Sequence, residues 1–417
     1  MLKNLLEIAS PADAGGLQKR FDMDRLEQVE RLLEVFAERT GLTGASAPRR
    51  YLWTDAFAVC TYLSLHLEHA DDKFLVRARA LVDQVHDVLG AYADNDPRSG
   101  RLGARSEQEY AASPTGAGLR IGKQQPEREP GEAFDERREW DRDGQYFHYL
   151  TRWMHALERM AETTGERHYH RWAVDLALTA FAAFVHQPPG GATPRMVWKM
   201  SVDLDRPLVP SMGHHDPLDG WVLTQILLAS DHGDEDERSD LRRCASVYRE
   251  IFARRDLATA DPLGIGGLLV DAWQLFRIGP DAEPTVSARI PELIDAAAPG
   301  LDQLVGQRQF AAAPRYRLGF RELGLATGLR AAQQLNQCLS ASDSAGPARL
   351  GALLTRISGR LSLADEIEQT WLDPANRAVP SWTDHRDIND VMLAACLAPA
   401  GYLGPAPGRQ SQQETSS

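Results

Sequence analysis

The chain has 417 residues, of which 43% are hydrophobic, 25% charged and 7% aromatic, a composition that excludes disorder, collagen and a membrane bundle and allows a sizeable core. Its 59 acidic against 46 basic residues leave a formal charge of −13, so a phosphate-backbone partner meets no electrostatic footprint and no nucleic-acid ligand is expected. Only five of the cations are lysine, at positions 3, 19, 73, 123 and 199; the excess of arginine reads as codon usage before function and carries no weight.

Met1 to Gly16 holds Pro11 and Asp13 where a secretory leader needs an unbroken apolar core, and no stretch has the ~18 uncharged apolar residues of a membrane span. A cytoplasmic protein with no membrane partner is expected. Cys60, Cys244, Cys338 and Cys396 lie far apart in apolar helical contexts without CxxC pairing, which predicts buried thiols rather than disulfides or a zinc site.

Apolar residues recur at 3–4 spacing along most of the chain while strand-like alternation is scarce, so the fold class is all-α. Two kinds of helix alternate. In chain order, an amphipathic helix near 22–40 is followed by one at 54–69 that is apolar nearly all round between Ala56 and Leu67. Next comes 72–93, with Leu75, Ala78, Val82, Val85 and Leu89 in one stripe and Arg77, Arg79, Asp83 and Asp87 opposite. Further apolar helices are predicted near 144–161, 217–230, 262–278, 318–339 and 388–400, and amphipathic ones near 166–186, 237–255, 288–306 and 347–370. A helix apolar all round must be enclosed by others, whereas an amphipathic one lies on a surface. Pro299 should kink or end the helix at 288–306.

Connections from apolar to amphipathic helices are short, and those in the reverse direction are long. The two longest run about 94–141 and 187–216. Long loops in a compact domain are usually lids or binding walls, and in a ring of hairpins these loops emerge on one side. Within the second, Arg195–Pro210 is β-prone with a turn-like centre at Asp203–Arg206, predicting a short β-hairpin beside that side. Residues 1–403 are expected to form one domain, and 404–417, rich in Pro, Gly, Gln and Ser, a disordered tail.

About twelve helices in six inner and outer pairs resemble the (α/α)6 toroid of the six-hairpin glycosidase-like superfamily over residues ~20–403. The resemblance implies a substrate crater at the N-terminal ends of the inner helices, under the long loops. Relatives of that architecture include glycoside hydrolases, unsaturated-glucuronyl hydrolases and the N-acylglucosamine 2-epimerase group. Terpenoid and lanthionine cyclases share the toroid, but this chain has neither a DxDD or DDxxD run nor a Cys-Cys-His zinc set.

The inner-helix starts concentrate Trp, Asp and His: Tyr51 to Asp55, Trp140 to His148, Gly213 to Trp221, Asp261 to Gly264, Arg315 to Arg317 and Trp382 to Asp387. Capping is the competing explanation, and at Asp261-Pro262 it is the stronger one. Asp216-Pro217 carries the same signal; Asp55 and Asp384 stand open as caps or crater carboxylates. Asp143 and Asp219 are the favoured acid/base pair, because each precedes a glycine that leaves room for a ligand. A glycosidase needs one protonated and one ionised carboxyl group flanking the bond it cleaves. Trp53, Trp140, Tyr146, Trp198, Trp221 and Trp382 offer aromatic faces to a pyranose, or are core.

His148, His214, His215 and His385 supply the alternative. A pair such as His215 and His385 suits proton abstraction and return at a sugar carbon, as in the resembled epimerases. His214-His215-Asp216 with Asp219 or His148 could ligate a metal, but no HxxxH spacing supports it, and none is assigned. Lys199 and Arg195, and likewise Arg120 and Lys123, could meet an anionic substrate group. Neither GxxxxGK[ST] nor GxGxxG occurs, so no nucleotide or other cofactor is expected. The reading is a carbohydrate-active enzyme, a glycoside hydrolase first, a sugar epimerase or isomerase second, and a non-catalytic toroid scaffold or binding protein third. Its partner is a small carbohydrate-like substrate, and no oligomeric state is implied.

Overall fold

The computed structural model describes residues 11–188, 190, 193–279, 284–341 and 348–407; most of the expected tail, from 408 on, lies outside them. The main helices are α1 (Pro11–Arg39), α2 (Leu52–His69), α3 (Asp72–Leu89), α4 (Phe147–Thr164), α5 (Arg167–Phe184), α6 (Asp216–Ala229), α7 (Glu235–Phe252), α8 (Pro262–Arg277), α9 (Arg289–Gly306), α10 (Gly319–Ala341), α11 (Ala348–Ser358), α12 (Leu363–Leu372), α13 (Arg386–Leu397) and α14 (Ala400–Leu403).

Local chemistry sets many of the boundaries. Asp71 caps α3 by accepting the Lys73 N–H, and Asp234 with Glu237 forms a reciprocal capping box on α7. Asp261 accepts the Gly264 N–H with Pro262 in the first turn of α8, the cap expected there. Left-handed Ala70 and Gly165 close α2 and α4.

Every residue of α2 from Leu52 to Leu65 is buried, as enclosure by other helices requires. The apolar helices pack in the order α2, α4, α6, α8, α10, α13 and back to α2, a cycle of neighbours. Each carries an outer partner: α3 on α2, α5 on α4, α7 on α6, α9 on α8 and α12 on α10. The first helix, α1, packs on the last inner one, α13. There Arg25 donates to the Leu397 carbonyl at 2.6 Å, and Arg39 pairs with Asp387 and Asp390. The described helices therefore form six inner and outer pairs, the arrangement that the alternation predicts.

Two expectations are corrected. Of the kink or end expected at Pro299, the end does not occur: α9 runs through it, and the residue is exposed, so the missing hydrogen bond falls on the solvent side, where it is best tolerated. The helix expected over 347–370 is two, α11 and α12, separated by a turn at 359–362.

Strands are minor. The predicted hairpin is β4 (Lys199–Met200) with β5 (Pro207–Val209), joined by β1 (Gln145–Tyr146) in a three-stranded sheet ordered β1-β4-β5. Val185–His186 (β2) pairs separately with Arg195–Met196 (β3). No described helix is long and apolar enough to cross a membrane. Cys60, Cys244 and Cys396 are buried thiols.

The two ends of the ring differ. At the C-terminal end α14 lies across it, touching α2, α4 and α8. Its backbone is held by side chains from those helices: Arg159 Nε donates to Gly401 O at 2.8 Å, His155 Nε2 to Tyr402 O at 2.8 Å and Trp273 Nε1 to Leu403 O at 2.8 Å. The Tyr402 ring stacks on Phe57 at 4.6 Å.

Candidate active site

At the opposite end the inner helices start side by side. Tyr51 before α2 meets Tyr149 of α4, Asp261 before α8 pairs with Arg321 of α10, and Phe320 of α10 meets His385 before α13. Between these starts lies a pocket of about 1370 Å³, larger than the roughly 300–1,000 Å³ usual for small-molecule sites. Its wall comes from the starts of α2, α4, α8, α10 and α13 and from the loops after α3, including 91–95, 120–124 and Trp140. The second long connection contributes no lining residue.

One wall is aromatic. Tyr146 stacks on Trp198 (centroids 4.9 Å, interplanar angle 19°) and on His148 (5.4 Å, 14°), and Trp53 lies 6.0 Å from His148 and 5.3 Å from Tyr149. The Tyr51 and Tyr149 hydroxyls share a hydrogen bond of 2.6 Å. Burial holds both phenols above their ordinary pKa and so protonated. The same wall holds three buried polar atoms without a partner among the described residues: Trp53 Nε1, Thr54 Oγ1 and Tyr146 OH. Their residues are 6%, 2% and 1% exposed. A buried donor left unmade costs about 1–3 kcal/mol, so a wall that keeps three of them beside a pocket is arranged for something other than its own stability.

Of the residues singled out in the sequence, Trp53, Trp140, Tyr146, His148 and His385 line this pocket, as do Asp384, Arg120 and Lys123. His148 is neutral throughout the physiological range, its pKa pushed down to about 3 by burial and then by the Arg152 charge. His385 is exposed at the start of α13.

Asp143 and Asp219 are placed elsewhere. Asp143 is buried, paired with Arg120 and accepting the Gly122 N–H at 3.1 Å. Its expected ligand space is occupied: a side chain on Gly144 would meet the Met200 carbonyl of β4 at 2.7 Å. Asp219 accepts from Arg152 at 2.9 Å, and a side chain on Gly220 would meet the Tyr248 ring at 2.8 Å. Both glycines make room for protein, and neither carboxylate lines the pocket.

The other predicted residues are likewise held by the scaffold. Asp55 pairs with Arg50 and accepts the Tyr51 N–H; burial lifts its pKa to about 6. Lys199 is buried on Glu139 at 2.8 Å. Trp198 backs Tyr146 without lining the pocket. Trp221 packs on Phe252, and Trp382 on Trp371 with its Nε1 donating to Asp390. His214 and His215 donate to the Ala258 and Leu257 carbonyls, so His215 does not face His385 across the pocket as the expected pair would. Among the described residues no group of three or more His, Cys, Asp or Glu could hold a metal ion.

Beneath the wall lies a second polar cluster. Asp219 of α6 and Asp271 of α8 are hydrogen-bonded to one another, and burial, then Asp219, raises the Asp271 pKa well above its ordinary value. Arg152 joins Asp219 to the Tyr402 hydroxyl of α14. Tyr51, Thr54, Tyr149 and Asp271 were not singled out as site residues by sequence, although Tyr51 and Thr54 fall inside a flagged helix start and Tyr149 directly follows another.

A ring of six enclosed helices with a large aromatic-walled crater at the helix starts defines an all-α, six-hairpin architecture with a site large enough for a small molecule. Among solved structures, the chain is similar to "The Structure of cellobiose 2-epimerase from Spirochaeta thermophila DSM 6192", with a TM-score of 0.46 and 11% identity over 83% of this chain and 86% of that chain. No family model matches the sequence, and no curated protein matches it.

Proposed function

We propose that the protein is a carbohydrate-active enzyme that binds a sugar in the crater and moves a proton on it, as an epimerase or isomerase, with His148 and His385 as the proton-handling pair. One observation carries this reading: the two histidines stand on the crater wall at the starts of α4 and α13, the two helices that flank α2, while Asp143 and Asp219 are each tied to an arginine and neither lines that wall.

The wall suits a sugar. Trp53 and Tyr146, buried in the wall, give it the aromatic character that suits the apolar side of a pyranose, and Trp53 Nε1, Thr54 Oγ1 and Tyr146 OH stand there without a partner among the described residues. On an open-chain sugar, one histidine takes the proton from the carbon next to the carbonyl: the C–H bond breaks, an N–H bond forms, and the electron pair moves onto the carbonyl oxygen. A proton from the Tyr51 and Tyr149 hydroxyl pair stabilises that oxygen by hydrogen bonding, as preorganised donors do. Return of a proton to the other face by the second histidine gives the epimer. The neutral His148 ring has an acceptor nitrogen ready for such a transfer.

A second reading, hydrolysis, draws on the buried Asp219 and Asp271 pair, of which burial holds the Asp271 carboxyl well above its ordinary pKa. The two separate in one experiment. Free aldoses and oligosaccharides are incubated with the protein in D2O and followed by proton NMR, for wild type, His148→Ala, His385→Ala, Asp143→Asn and Asp219→Asn. Proton transfer predicts solvent deuterium at the carbon next to the carbonyl, lost at least about a hundredfold in either histidine variant. Bond cleavage that survives both histidine changes and dies with Asp219→Asn replaces this reading by hydrolysis; silence on every sugar leaves a binding protein or scaffold.

A further inference from the structure

The charge of the crater runs against that of the chain. The protein carries a formal −13, and a body of that sign repels anions. Yet six cationic side chains line the crater against four carboxylates. Three of the cations, Arg50, Arg120 and Arg321, are neutralised from behind by Asp55, Asp143 and Asp261. Two of the carboxylates, Asp87 and Asp387, are likewise paired, with Arg101 and Arg39.

Lys123 differs from the paired residues. It is half-buried in the crater wall with no carboxylate within ion-pair distance among the described residues. Its Nζ donates one hydrogen bond, to the Trp140 carbonyl at 2.5 Å, and lies 5.9 Å from the centre of the Tyr51 ring. An ammonium has three donors, so two are left for a ligand. The residue type is also an exception, in a chain that has only five lysines among 46 cations. Lysine supplies a compact point charge on a flexible stem, where arginine would spread a planar fork into the aromatic wall. The other lysine near this wall, Lys199, is fully consumed by Glu139 and two carbonyls.

We infer that the substrate carries an anionic group, a carboxylate or a phosphate, and that this group seats on Lys123 beside the Tyr51 and Tyr149 hydroxyls. The inference rests on the sugar-binding reading above and names its substrate class. Burial lowers the Lys123 pKa, against the opposing charges of Asp141 and Asp143; a seated anion acts in the same direction as those carboxylates.

The test is calorimetric titration of the full chain with glucose, glucuronate, glucose 6-phosphate and inorganic phosphate, on wild type, Lys123→Met, Lys123→Arg and Tyr146→Phe. At least one anionic sugar should bind wild type more tightly than glucose does, and less tightly as salt is added. Lys123→Met should weaken that anionic sugar by roughly tenfold to a hundredfold, the worth of a charge-assisted hydrogen bond, and leave glucose within about twofold, while Lys123→Arg restores part of the loss. The stronger of glucuronate and glucose 6-phosphate identifies carboxylate or phosphate. Equal or tighter binding of glucose, weakened by Tyr146→Phe but not by Lys123→Met, overturns the anionic group and leaves the sugar site standing. Binding of inorganic phosphate, lost in Lys123→Met, with no response to any sugar, overturns the sugar reading and keeps the anion seat. Silence from all four probes overturns both.

Discussion

The two ends of the helical ring are built from the same helices and finished in opposite ways. At the plugged end, the side-chain donors of Ser64, His155, Arg159, Trp273 and Gln274 are spent on the backbone carbonyls of residues 398–403. At the crater end, Trp53 Nε1, Thr54 Oγ1 and Tyr146 OH are buried without partners among the described residues, where Lys123 uses one donor of three. Satisfied buried polar groups rigidify, whereas unsatisfied ones cost stability unless something else completes them. The plug is therefore where the ring is held, and the crater is where it is left incomplete for a ligand.

Changes at the plug should dominate stability. A side chain on Gly401 would meet the Cys60 carbonyl at 1.8 Å, and neither backbone can yield without opening the ring end. Gly401→Ala should therefore destabilise by about 2–4 kcal/mol in urea denaturation. A loss under about 1 kcal/mol would show that the plug is loosely seated and would break the comparison.

The plug should also be acid-sensitive, as the buried His148 makes the crater end. Burial pushes the His155 pKa down to about 3, against an ordinary 6.5. The folded state thus binds fewer protons than the unfolded one, and stability is held above pH 6.5 and lost as pH falls from there toward 3. His155→Gln keeps a donor for the Tyr402 carbonyl and removes the titration. Its stability relative to wild type should improve by about 1.4 kcal/mol for each pH unit below 6.5. Parallel stability curves for the two proteins between pH 5 and 8 would contradict this.

The smallest stability effects belong to the crater. Removing the unpartnered hydroxyl in Tyr146→Phe, or replacing Thr54 by Val, should leave stability unchanged or raise it by about 1 kcal/mol, because no hydrogen bond is lost. Sugar affinity should fall in both. A destabilisation of 2 kcal/mol or more, from either change, would mean that the hydroxyl has a structural partner after all.

The contrast also marks what the sequence discloses. The inner helices were legible because enclosure requires apolar residues on all sides, as in Leu52 to Leu65, and the hairpin at β4 and β5 because its turn falls in a polar run. Trp53, Tyr146, His148 and His385 were legible as crater residues because helix starts in a ring converge. The fate of each carboxylate was not, since Arg120 meets Asp143 across 23 positions and Arg152 meets Asp219 across 67, distances that only the folded ring closes. A glycine beside an aspartate looks the same in sequence whether a ligand fills the space or, as at Gly144 and Gly220, a protein neighbour does. The plug was invisible for a related reason: Ala400–Leu403 lies at and beyond the end of the apolar helix predicted over 388–400, and its role depends on three helices far away in the chain.

Hydrogen exchange measured by mass spectrometry with and without a bound sugar tests the central claim most directly, because it reads both ends of the ring at once. The account predicts ligand protection in peptides covering 50–54, 120–124, 146–149 and 384–388, with residues 398–404 already slow and unchanged. Protection centred on 398–404, or none at the helix starts under saturating sugar, would contradict a sugar site in the crater.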